Sequence, residues 1–165
     1  LLALLSQRSK AIKTLDGRFM QQKTIAVLPA PLNSTGRFQF EQGKGVVWEL
    51  LTPVQNKVEL TPKGISFANE QQAAPLPQAG VEVVARIFMG VIAGELDSLN
   101  NYFAVQASGD SSHWTLVLTP RSTNLAAYIK SIELQGGELT EQLDIAETNG
   151  DHTHITLTTD KVVRN

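Results

Sequence analysis

His152 and His154 stand two residues apart in HTHITLTT, a spacing that on a strand puts both imidazoles on one face, within reach of a common metal ion. A metal site needs a further ligand, and the chain has no H-x-E pattern, no HExxH pattern and no cysteine to supply it. The pair therefore reads as the solvated side of a terminal strand. His113 precedes Trp114 and reads as the outward neighbour of a core indole. No serine lies in a G-x-S-x-G elbow, and Glu138 and Glu141 fall on turns and strand exteriors, where solvation explains paired carboxylates. The segment ETNGD, residues 147–151, lacks the acidic ladder and terminal Glu of a calcium loop and reads as a hairpin turn. No catalytic residue, metal site or cofactor is expected, which weighs against an enzyme.

The remaining chemical candidate is Gly43-Lys44-Gly45 in RFQFEQGKGVVWELLTP. A phosphate-binding loop of the G-x-x-x-x-G-K-[ST] type requires glycine five residues before Gly43 and a hydroxyl after Lys44, but Phe38 and Gly45 occupy those places. Alternation favours a bend between two strands, with Phe38 and Phe40 on one face of the first and Val46, Trp48 and Leu50 on one face of the second.

Around these residues the period of the chain changes from helical to extended. LLALLSQRSKAIKTL spaces Leu1, Leu5 and Ile12 for an amphipathic helix of three to four turns. Five short strand patterns follow, down to GISF, separated by Asn33-Ser34, Gly43 to Gly45, Pro53 and Pro62-Lys63-Gly64; consecutive strands with short turns predict antiparallel hairpins. ANEQQAAPLPQAG, residues 68–80, reads as a long loop. Beyond it, residues 81–93 predict a helix apolar around most of its circumference, followed by a second run of five strands with a short helix at 123–129. The sum is about ten strands and two or three helices in one domain, residues 1–165.

Charge and length narrow the function classes. The formal net charge of -2, with scattered Lys and Arg, lacks the basic footprint of a nucleic-acid binder. The leucine run at residues 1–5 is too short for a membrane span. The apolar surplus of the helix at 81–93 must be covered, either inside a packed core, by another protein chain, or as a lid whose second side lines a cavity. Phe19, Phe38, Phe40, Trp48, Phe103 and Trp114 would form the opposite wall of that cavity, or else ordinary core.

The order of these elements resembles the LolA family of periplasmic lipoprotein carriers. FMQQK, GRFQF turning into VVWELLTP, the helix with IFMGVIA, and then YFAV, WTLVLTPR, IKSIEL and ELTEQLDI carry the likeness across nearly the whole chain. The resemblance implies a mainly β (α+β) fold, a half-open antiparallel barrel of about 10–11 strands with helices forming a lid over an apolar cavity. It also implies a monomeric, non-catalytic carrier of lipoprotein acyl chains or free lipid in the periplasm, with a signal peptide removed upstream, an inner-membrane donor and an outer-membrane acceptor. Trp48 and the helix residues Phe88, Met89 and Ile92 correspond to cavity or lid positions. The family's lid-latching arginine falls on Gln42, whose neutral amide lacks arginine's fork of donors and implies a weaker or different latch, in a divergent branch. The rival expectation is an envelope scaffold using the helix at 81–93 as a protein interface.

Overall fold

The computed structural model of the protein describes residues 2–53, 55–61, 64–67 and 99–165. Helix α1 (Leu2–Lys10) leads into β1 (Ile12–Thr24), followed by β2 (Leu32–Glu41), β3 (Gly45–Thr52), β4 (Asn56–Thr61) and β5 (Gly64–Phe67). The second half supplies β6 (Phe103–Gly109), β7 (Trp114–Pro120), the single-turn helix α2 (Thr123–Ala126), β8 (Ile129–Gly136), β9 (Thr140–Glu147) and β10 (His152–Arg164). The ten strands among the described residues form one antiparallel sheet in the order β5-β4-β3-β2-β1-β10-β9-β8-β7-β6. Two meanders thus meet at the β1–β10 ladder, and chain continuity makes residues 68–102 the connection between the outer strands β5 and β6.

Turn chemistry sets the hairpin ends. Gly43 and Gly45, with φ of 86° and 121°, make the bend between β2 and β3, so the glycine-lysine-glycine segment is a hairpin turn. Between β6 and β7, Asp110 Oδ1 accepts the backbone N–H groups of His113 (2.9 Å) and Ser112 (2.8 Å), which together hold its carboxyl below the usual carboxylate range.

The first helix is shorter than its apolar spacing predicts. It ends at Lys10, and Ile12 and Leu15 belong to β1, paired across to Arg164 and Val162. Both are buried at 3% exposure. Residues 12–15 satisfy helical spacing and strand burial alike; tertiary context decides, because pairing with β10 and β2 buries Ile12 and Leu15 in the sheet's core.

The sheet is strongly curled. Four strands separate β2 from β7, which in a flat sheet would lie about 24 Å apart at the usual strand spacing of roughly 4.8 Å. Phe38 of β2 and Trp114 of β7 nevertheless line the same small cavity. Residues that make the curl possible are glycines set opposite aromatic rings. Gly17 pairs with Phe38, Gly36 with Phe19, and Gly136 with Trp114. A Cβ on Gly17 would lie 2.4 Å from the Phe38 ring, one on Gly36 would lie 2.4 Å from the Phe19 ring and 2.1 Å from the Glu49 carbonyl oxygen, and one on Gly136 would lie 2.7 Å from the Trp114 ring. Each ring therefore lies down over a strand position that has no side chain.

Gly36→Ala and Gly17→Ala should each destabilise the fold by about 1–3 kcal/mol through overpacking, read as a lower urea midpoint. Met20→Ala, at a strand position 66% exposed, serves as the neutral comparison. A midpoint unchanged in both glycine variants would show that the rings have room to move away.

Candidate functional site

The inner face of the curled sheet is built by alternation. Every second residue points inward, bringing Phe19, Phe38, Phe40, Phe103 and Trp114 to 4% exposure or less. They share one continuous hydrophobic cluster with the inward residues of β8, β9 and β10, and half-buried Trp48, Leu50 and Val105 pack against it. The Phe19 and Trp48 rings stack with centroids 3.9 Å apart and planes at 16°, and Phe38 lies 6.1 Å from Trp48 on the same stack. Six of the nine residues expected in the apolar wall thus occupy a single face. The other three, Phe88, Met89 and Ile92, lie outside the described residues, as does the helix expected at 81–93.

Polar groups on this face are few and bonded. Thr153 is the only buried polar side chain among the described residues, and none of their buried side-chain nitrogen or oxygen atoms lacks a partner. The Trp114 indole Nε1 donates to the Gly137 carbonyl oxygen at 2.6 Å, and Arg8 Nη1 of α1 reaches the same carbonyl at 3.5 Å and that of Ser111 at 2.6 Å. The turn between β8 and β9 therefore anchors both the core indole and the helix that closes this end. Arg8 was not singled out by the sequence, because an arginine facing solvent on a helix has no distinguishing pattern.

Between α1 and the sheet lies a cavity of about 30 Å³, lined by Leu5, Ile12, Leu15, Leu116 and Leu157 among others. That is the scale of a single water molecule. Outside it, an open groove of about 550 Å³ runs past Glu138, Glu141 and the hydroxyls of Thr156, Thr158 and Thr159. Among the described residues the aromatic wall is closely packed.

Gln42 is the expected latch position, and the lid it would hold lies outside the described residues. Its Nε2 donates to the Lys10 carbonyl oxygen (3.2 Å) and its Oε1 accepts from Asn165 Nδ2 (3.1 Å), tying the end of β2 to the end of α1 and to the residue after β10. His152 and His154 lie on the outer face of β10, and both rings turn to the carboxylate of Asp144 on β9. His113 is exposed beside buried Trp114.

Among the described residues this inner face is a continuous, buried apolar cluster with no buried charge and few polar groups. Residues 3–159 match the family described as outer membrane lipoprotein carrier protein LolA-like. A search of the curated proteins finds no match. Among solved structures, the chain is similar to a LolA superfamily protein from Nitrosomonas europaea, with a TM-score of 0.53 at 7% identity over 99% of this chain and 94% of the other. It is also similar to MucB in complex with periplasmic MucA, with a TM-score of 0.51 at 15% identity over 95% of this chain and 52% of the other. The Pseudomonas aeruginosa MucA/MucB complex gives 0.50 at 15% identity, over 99% and 57%. The chain spans little more than half of MucB, and at these identities the likeness is one of fold. With the family match covering all but the ends of the sequence and the half-open sheet agreeing with it, the chain belongs to the outer membrane lipoprotein carrier protein LolA-like family.

Proposed function

We propose that the protein is a non-catalytic periplasmic carrier that shelters acyl chains, on a lipoprotein or a free lipid, and moves them toward the outer membrane. The observation that carries this reading is the continuous aromatic and aliphatic inner face of an open, curled sheet, in a chain of the LolA-like family. Phe19, Phe38, Phe40, Trp48, Phe103 and Trp114 are the proposed wall, with Phe88, Met89 and Ile92 opposite them on the segment that joins β5 to β6.

The energetics explain why such a protein is needed. Each methylene taken from water into an apolar site gains about 0.8 kcal/mol, so a chain of about 16 carbons represents on the order of 13 kcal/mol, and unassisted passage through water is negligible. An empty apolar hollow loses packing contacts in its walls. A segment that fills the space when cargo is absent and yields when it arrives removes that cost, and the connection between the two sheet edges has the right topological position for it. MucB, of similar fold, is found in complex with MucA, which favours a second reading in which the apolar segment 81–93 is a protein interface.

Delipidated protein should take up a fluorescent fatty-acid analogue while remaining monomeric by light scattering; a stable dimer that ignores lipid would favour the interface reading instead. Ile92→Glu should weaken uptake at least about tenfold, equivalent to 1.4 kcal/mol, with an unchanged far-ultraviolet strand signal. Uptake equal to that of the unmodified chain would place the pocket elsewhere. In a Trp114→Phe background, the remaining Trp48 emission should move to shorter wavelength on lipid addition, and a constant spectrum would remove Trp48 from the site.

A further inference from the structure

The connection between β1 and β2 exposes three large aliphatic side chains together. Ile25 to Leu32 reads IAVLPAPL, eight consecutive residues without a charge or a side-chain hydrogen-bonding group. Val27 is 87% exposed, Leu28 45% and Leu32 50%. This tip is held in shape: Leu28 N donates to the Ile25 carbonyl oxygen at 2.9 Å, Ala26 N donates to Asp151 Oδ1 at 3.0 Å, and Pro29 and Pro31 restrict the backbone. Three exposed aliphatic residues kept outward by an ordered turn have no role in the packing of the sheet.

We propose that this hairpin tip is a membrane-contacting finger that inserts Val27, Leu28 and Leu32 into the outer layer of a lipid bilayer. Three features favour a lipid surface over a protein partner. The tip has no polar side chain with which to give a protein contact direction. Complete burial of its three aliphatic side chains would cover roughly 300 Å² at about 100 Å² each, well short of the approximately 800 Å² per partner that a stable protein interface requires. The charged residues of the two hairpin ends, Lys23, Glu147 and Asp151, sum to a formal charge of -1, so the contact is driven by apolar burial and not by attraction to anionic lipid. A contact of this size is weak and reversible, as a carrier that must leave each membrane requires. The finger lies on a hairpin end and not on the apolar inner face, so it stands independently of acyl-chain binding; combined with the carrier reading, it is the part that brings the inner face to a bilayer.

The test is flotation of the full chain with phosphatidylcholine vesicles, with and without added phosphatidylglycerol, beside uptake of a soluble fluorescent fatty-acid analogue. The unmodified chain should float with both vesicle types and at low and high salt. Val27→Asp with Leu28→Asp should reduce flotation at least tenfold, while uptake of the soluble analogue and the strand signal persist. Val27→Ser alone, a milder change at the most exposed position, should reduce flotation severalfold. Absence of vesicle binding by the unmodified chain, binding undiminished in both variants, or binding that requires anionic lipid and vanishes in salt would each overturn the proposal. So would a concentration-dependent dimer lost in the double variant, which would assign the tip to a second copy of the chain. If the unmodified chain floats but takes up no fatty-acid analogue, the finger stands and the carrier reading falls.

Discussion

Two copies of one tripeptide, Gly17-Arg18-Phe19 and Gly36-Arg37-Phe38, face each other antiparallel across β1 and β2, and the curvature of the protein depends on what they do there. Register puts Gly17 opposite Phe38, Arg18 opposite Arg37, and Phe19 opposite Gly36. Each ring lies over the other strand's glycine, so two large side chains occupy the inner face without pushing the strands' faces apart. Trp114 over Gly136 repeats the device on the opposite wing. Without these vacancies the rings would stand upright and fill the concavity that lets β2 and β7 approach across four intervening strands.

The same register places two like charges side by side on the outer face. Arg18 and Arg37 are offset by separate carboxylates: Asp160 receives a fork from Arg18 at 3.0 to 3.2 Å, and Glu49 receives Arg37 at 3.1 Å. Lys57, paired with Glu49 across β3 and β4, continues the alternation to Glu59. These exposed pairs contribute little to stability and instead keep the outer face polar, so that only one face of each strand is suited to burial. His152 and His154 belong to that outer face, where Asp144 takes both rings; their spacing of two reflects strand geometry.

Closure at one end of the sheet is achieved by polar contacts at the margin of an apolar interior. The Gly137 carbonyl receives both the buried Trp114 indole and Arg8 of α1, while Gln42 joins α1 to the strand ends. Among the described residues β5 and β6 are the outer strands of the sheet. Among the described residues the inner face carries no buried charged group, so it is held by burial of apolar surface alone.

Several features were legible in the sequence because they follow from local rules. Period-two alternation located all ten strands in outline and the inward set Phe19, Phe38, Phe40, Phe103 and Trp114, and turn residues located the hairpin ends at Gly43 to Gly45 and 147–151; the turn expected at Asn33-Ser34 lies instead inside β2, and the chain reverses at residues 25–31. The absence of a catalytic motif was equally a matter of residue type and spacing. Other features required partners distant in the chain. Residues 12–15 became strand because β10, some 150 positions later, offers them a ladder; the glycine–aromatic pairs depend on register between strands; and Gln42 found the ends of α1 and β10 as its partners. Alternation specifies which residues share a face of a strand, a local property of the extended backbone. Which strands become neighbours, how far their sheet curls, and which exposed residues remain without cover are decided by long-range packing, which only the tertiary structure expresses.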